Sequence, residues 1–161
     1  MIREARAHDF VALTAITNHY IETTSIHFAH EPLAAGYLQE SWAPSRERFP
    51  WVVADEGEVV GYAKAGVWRE RAAYAWTTEV GLYVAPTHQR RGIGRALYQA
   101  LLAELERRGF RSAIAGITLP NDPSRALHEA FGFISVGVVR EAGYKLGRWH
   151  DLEFFQKRLA P

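Results

Sequence analysis

A chain of 161 residues, 48% hydrophobic and 23% charged, is long enough to bury one substantial core and too apolar to stay disordered, so a single domain over residues 1–161 is expected. A formal net charge of +1 leaves no general nucleic-acid footprint, and the absence of cysteine excludes disulfides, thiolate metal sites and acyl-cysteine chemistry. Neither an apolar leader nor any run near the ~20 apolar residues that span a bilayer is present, so no membrane partner is expected and the cytoplasm is the expected location.

Residues 2–6 read as a first strand. Asp9 then stands as the cap of a helix whose Val11, Leu13, Ile16 and Tyr20 share a face. Residues 22–28 are too polar and β-branched to extend that helix and are expected as a loop over the site. Pro32 fits the first turn of a second helix reaching to about Arg48, with Phe49-Pro50 ending it. Residues 51–54 and 59–67 flank the turn cluster Asp55-Glu56-Gly57-Glu58 and predict a hairpin. A strand over residues 75–84 follows, and then a helix from Ile93 on which Leu97, Leu101 and Leu105, with Ala96 and Ala100, recur at helical spacing up to Gly109. Residues 112–117 form a short apolar run of the kind buried on both faces of a sheet. Asp122 and Pro123 open another helix, closed by Gly132. Residues 134–139 and 152–157 make the last two strands, with residues 141–150 between them as a connecting segment. The order is α+β: a mixed central sheet with helices on both faces, an α/β three-layer arrangement.

Gln89-Arg90-Arg91-Gly92-Ile93-Gly94-Arg95 is the stretch richest in chemistry. Two glycines let backbone N–H groups approach an anion, the helix that follows adds its unpaired first-turn donors, and three arginines add countercharge. No Gly-Lys-Ser/Thr follows, which removes a P-loop, and Leu97 stands where a dinucleotide fingerprint needs its third glycine. Ten residues upstream, Glu79 lies inside an otherwise apolar strand, sharing a face with Gly81 and Tyr83. Burial there would raise its pKa toward that of a general base; an ion pair with a nearby arginine is the competing role. Trp68 to Trp76 brings two arginines and three aromatics next to that strand, a composition suited to a small anion or to a solvated basic turn. His27 and His30 sit in an unperiodic segment without metal-ligand spacing, and His150 beside Asp151 reads as loop packing.

Gln-x-x-Gly-x-Gly after a strand resembles the coenzyme A loop of the GNAT superfamily of N-acetyltransferases. Asn18 to Thr24, Arg46 to Trp51, His88 to Arg90, Leu119 to Ser124 and Gly147 to Asp151 together are similar to its phosphinothricin N-acetyltransferase branch. The resemblance implies the GNAT fold and acetyl-CoA as co-substrate, with no metal. It implies a small amino-acid acceptor of the phosphinothricin, methionine sulfoximine or methionine sulfone type, and a homodimer in which the Trp149 region closes the partner's pocket. Glu79 is then the base and His128, in a Leu-His-x-x-x-Gly-Phe pattern where many relatives carry tyrosine, the acid that protonates the thiolate. The cofactor is implied to rest on Leu82, Tyr83 and Val84 of a splayed strand, on Gln89, Arg90, Arg91, Gly92, Ile93, Gly94 and Arg95, and on Asn121. Phe28, Arg69, Arg71 and Tyr74 are implied to hold the substrate. A peptide N-terminus or a polyamine as acceptor, and a non-catalytic acyl-CoA sensor, stand as alternatives.

Overall fold

The computed structural model describes residues 1–160. Seven strands form one sheet in the order β1-β2-β3-β4-β5-β7-β6: β1 Ile2–Glu4, β2 Trp51–Asp55, β3 Val59–Val67, β4 Thr77–Val84, β5 Ser112–Thr118, β6 Ile134–Lys145 and β7 Arg148–Arg158. The β4–β5 pair is parallel and the other five pairs are antiparallel, so the sheet is mixed as the sequence predicts.

Alternation along the strands divides the core. Trp51, Val53 and Tyr62 face α1 (Phe10–Thr23) and α2 (Tyr37–Trp42), while Val52, Ala54, Ala63 and Ala65 face α3 (Ile93–Arg107). α4 (Asp122–Ala130) packs on the α3 side through Leu127 and His128. The buried face of α3 is Ile93, Leu97, Tyr98, Leu101, Leu102 and Leu105, the stripe expected of an amphipathic helix.

Several local expectations are corrected. Asp9 precedes α1 without capping it; its buried carboxylate accepts hydrogen bonds from both ends of the Arg3 guanidinium (2.8 Å each) and from the Arg6 N–H (2.7 Å). Burial alone would raise its pKa, yet those three donors hold it below the usual carboxylate range. Val11 is 82% exposed because Phe10 takes the buried position one residue earlier. The second helix is confined to Tyr37–Trp42: Gly36 enters it in the left-handed region (φ 85°), and turns rather than helix cover residues 43–48, where Pro44 has no N–H to donate. α4 is capped by Asn121, whose side chain accepts the Ser124 N–H (3.2 Å), and Asp122 is its first helical residue. The connecting segment of residues 141–150 belongs to a long β6–β7 hairpin turning at Leu146-Gly147, with bulges between Ser135 and Gly137 and between Val139 and Gly143.

Candidate active site

The site is built on a place where the sheet comes apart. β4 pairs with β3 over all but its first residue, from Thr78 opposite Val67 to Val84 opposite Gly61. On its other side it pairs with β5 at three positions only, ending at Glu79 opposite Ile114. Beyond that point β4 runs on to Val84 and β5 to Thr118 without a shared ladder. Peptide groups alternate in direction along the strand, so the N–H groups of Leu82 and Val84 point to that edge, lack a strand partner and are available to a ligand entering the gap.

A cavity of about 740 Å³ opens on the α1/α2 side of the gap, lined by residues that include Phe28, Lys64, Arg69, Glu79, Tyr83 and Thr118. A smaller one of about 80 Å³ lies on the α3/α4 side and is lined by residues that include Leu82, Tyr98, Asn121, Ser124 and His128. Both share Val80, Gly81, Tyr83, Gly116 and Thr118, so the two spaces meet across the split strands.

Glu79 points into the large cavity. Gly66 lies opposite it on β3, and no side chain covers it there. Among the described residues its carboxylate has no salt bridge within 4 Å and no hydrogen bond, so the arginine ion pair considered above does not form. Solvent reaches it through the cavity mouth, yet the walls remove enough water to raise its pKa, against the opposing charges of Lys64 and Arg69.

His128 is buried on the other side of the gap. A carbonyl can only accept, so the 2.6 Å contact to the Ser124 oxygen places the proton on Nδ1, and Nε2 then accepts the Tyr98 hydroxyl at 2.8 Å. Burial lowers the imidazole pKa and raises that of the Tyr98 phenol, so both shifts keep the proton on the phenol. Asn121 lines the same small cavity while capping α4.

At the basic loop, Arg90 and Gly92 adopt left-handed backbone (φ 60° and 78°), and the first turn of α3 begins at Ile93. Ala96 N–H returns to the Gly92 carbonyl, leaving the N–H groups of Ile93, Gly94 and Arg95 without helical acceptors. A Cβ at Gly94 would lie 3.3 Å from Leu82 and 3.6 Å from Leu127, so this turn sits against the small cavity's wall. The side chains are less free than the sequence suggests. Gln89 donates to the Tyr20 hydroxyl (2.6 Å), which donates to the Val84 carbonyl (2.6 Å), tying loop to strand. Arg91 pairs with Glu56 of the β2–β3 turn at 3.0 Å, and Arg95 lies over the Phe131 ring.

On the substrate side, Phe28 and Arg69 line the large cavity, with Arg69 stacked over Trp68 at 4.6 Å. Arg71 and Tyr74 are exposed on the short 3-10 turn that follows and are not among the residues lining either cavity. The loop carrying Phe28 is held by the hairpin. Lys145 donates to the carbonyls of Ile21 and His27 (2.6 Å each), and His30 Nε2 contacts the Tyr144 carbonyl at 2.7 Å. His150 is buried with Nε2 bonded to the Lys145 carbonyl, the packing role expected for it. Phe28 lies so close to Gly143 that a Cβ there would fall 2.6 Å from its ring. Gly143→Ala is therefore expected to push Phe28 out of the cavity and to cost about 1–3 kcal/mol of stability, which a denaturant series on the variant and the wild type checks.

Three residues escape the sequence reading: Tyr20, Tyr98 and Lys64. Lys64 had a visible signal, since it is the one charge in the apolar strand Val59–Val67, the same anomaly that marks Glu79. Tyr20 and Tyr98 read as ordinary members of helical apolar faces, and only the tertiary structure shows where their hydroxyls go.

The model of the acetyltransferase (GNAT) family matches residues 13–133. A phosphinothricin N-acetyltransferase of Streptomyces viridochromogenes is 48% identical over 97% of this chain and 86% of its own. An L-methionine sulfoximine/L-methionine sulfone acetyltransferase of Salmonella typhimurium is 35% identical over 98% and 94%. The crystal structure of a phosphinothricin acetyltransferase from Sinorhizobium meliloti in complex with acetyl-CoA superimposes with a TM-score of 0.94 at 32% identity, covering 99% of this chain and 88% of that one. A parted β4–β5 pair with a glycine-rich helix start beside it, together with these matches, establishes that the chain belongs to the GNAT family of acetyltransferases.

Proposed function

We propose that this protein transfers the acetyl group of acetyl-CoA to the α-amine of a small anionic amino acid of the phosphinothricin, methionine sulfoximine or methionine sulfone type. The observation that carries the proposal is Glu79, unpaired and with a raised pKa, in the large cavity at the last residue where β4 still pairs with β5. The relatives named for these substrates support the choice of acceptor.

The amine enters the large cavity and the thioester arrives through the gap. Glu79 takes a proton from the ammonium, directly or through water, and the neutral amine attacks the thioester carbon. Peptide N–H groups of Leu82 and Val84, freed from β5, hold the pantetheine arm and polarise the carbonyl, while Tyr83 between them keeps its peptide on β3; Asn121 borders the same arm. Backbone donors of Gly92, Ile93 and Gly94, with Arg90 and Arg95, receive the pyrophosphate, while Gln89 and Arg91 brace the loop. His128 and Tyr98 act together as the acid. The attacking nitrogen gives up its second proton as the amide forms; taken up at Nε2, that proton passes readily to the departing thiolate because burial lowers the imidazole pKa. Phe28 and Arg69 wall the substrate, and Arg71 and Tyr74 extend the positive and aromatic rim.

As proposed, the reaction calls for no metal ion, nucleic acid or membrane, takes place in the cytoplasm, and would protect a cell from the herbicide phosphinothricin. A homodimer completes the proposal. The sheet ends on β6, where Ile134, Val136, Val138 and Val139 are 40–65% exposed, an apolar edge that a second copy would cover.

A thiol-release assay with acetyl-CoA and phosphinothricin, methionine sulfoximine, methionine sulfone, a peptide amine or spermidine tests the function. Turnover of the amino acids is expected. Turnover with spermidine or the peptide alone, or acetyl-CoA binding without turnover of any amine, would overturn it.

A further inference from the structure

The large cavity holds a charge that the proposed reaction does not use. Lys64 is on β3 opposite Gly81, and Glu79 is opposite Gly66, so the ammonium and the carboxylate are diagonal neighbours on one face of the sheet. Diagonal pairs of this kind stand about 7–8 Å apart at the backbone. Both intervening positions are glycines. A Cβ at Gly66 would meet nothing within 4 Å, and one at Gly81 would only touch the Lys64 stem at 3.8 Å, so the space above the pair is open.

Among the described residues Lys64 forms no ion pair within 4 Å and no hydrogen bond. Its contact is the face of Trp51, 5.0 Å from Nζ to the ring centre. The other charged or titratable groups lining the cavity are His27, Arg69, Glu79 and Tyr83. His27 is occupied in accepting the Ala29 N–H, and burial lowers its pKa. A partly buried ammonium facing an open cavity with one unsatisfied carboxylate beside it is an arrangement of opposite charges waiting for their complements.

We propose that Lys64 and Glu79 form a clamp for the head group of a free α-amino acid, Lys64 binding its carboxylate while Glu79 receives the proton of its amine. One carbon joins those two groups in an α-amino acid. A molecule seated with its amine at Glu79 therefore carries its carboxylate along the same face toward Lys64, leaving its side chain for Arg69 and Phe28. A peptide N-terminus presents a neutral amide in that position and a polyamine presents methylene, so Lys64 is a specificity-determining residue that selects free amino acids over both. This assignment rests on the transferase reading above and adds to it the part of the substrate that is recognised.

The test compares methionine sulfone with its carboxamide, which keeps the amine and side chain and removes the charge. The wild-type enzyme is expected to prefer the acid by about 10- to 100-fold in kcat/KM, the worth of a charge-assisted hydrogen bond. At a pH above the Glu79 limb of both enzymes, where loss of the Lys64 charge next to Glu79 no longer matters, Lys64→Met should erase that preference by lowering kcat/KM for the acid far more than for the carboxamide, with the KM for acetyl-CoA unchanged within about twofold; Lys64→Arg, which keeps the charge, should retain most of it. Equal losses on both substrates would make Lys64 a support for Glu79 and overturn the clamp, as would a wild-type enzyme that does not distinguish the two. A wild-type enzyme that turns over neither methionine sulfone nor phosphinothricin would overturn the transferase reading together with the clamp.

Discussion

Glu79→Gln is expected to lower kcat by about two to four orders of magnitude while leaving the dissociation constant for acetyl-CoA within about twofold of wild type. The amide keeps the size of the carboxyl and loses only its ability to take a proton, and the cofactor gap is bordered by β4 peptide groups rather than by this side chain. The pH dependence follows from the sign of the shift. Burial raises the Glu79 pKa and the Lys64 and Arg69 charges only partly offset it, so the inactive protonated form persists above the ordinary carboxylate range. Wild-type kcat/KM should fall as pH is lowered through that raised value, and the limb should be missing in the residual activity of the variant. Unchanged turnover across the pH range would remove Glu79 from the reaction.

His128→Phe is the second large effect, a loss of about 100-fold in kcat with little change in either KM. Tyr98→Phe is expected to cost about tenfold by the same route, because the phenol acts through Nε2. The double variant should be no worse than His128→Phe alone, since both changes disable one unit. Multiplying losses would show that the two side chains act independently. The histidine variant also leaves the buried Tyr98 hydroxyl without its acceptor, which should cost about 1–3 kcal/mol in stability; a denaturant series separates that from the kinetic effect.

The parts of this molecule that are local were legible in the amino-acid order. The stripe from Ile93 to Leu105 announces α3, and Asp55 to Glu58 announces the β2–β3 turn. Gly92 marks the left-handed turn into the helix (φ 78°), and Gly94 marks the place where the helix start approaches the Leu82 and Leu127 side chains. Where tertiary contacts decide, the reading failed in understandable ways. Glu141 and Gly143 look like part of a connection between two short strands, but they belong to one long hairpin whose register shifts between Val139 and Gly143. Pro32 looked like a helix start, yet Gly36 and Pro44 leave only six helical residues between them.

The site followed the same division. Glu79 was visible as a charge in an apolar strand, and Lys64 carries the same mark, but only the strand register shows that the two share a face. His128 stood out by pattern, whereas its partner Tyr98 comes from a different helix and could not be paired with it from spacing alone. The parting of β4 from β5 depends on register between strands separated by a whole helix, which no local pattern encodes.

A crystal structure of the protein with acetyl-CoA and methionine sulfone tests the central claim most directly. The expected result has the pyrophosphate on the peptide N–H groups of Gly92 to Gly94, the thioester threaded between β4 and β5 beyond Glu79, and the α-amine within hydrogen-bond reach, directly or through one water, of the Glu79 carboxylate. A coenzyme lodged away from the β4–β5 gap, or an amine bound out of reach of Glu79, would contradict the account.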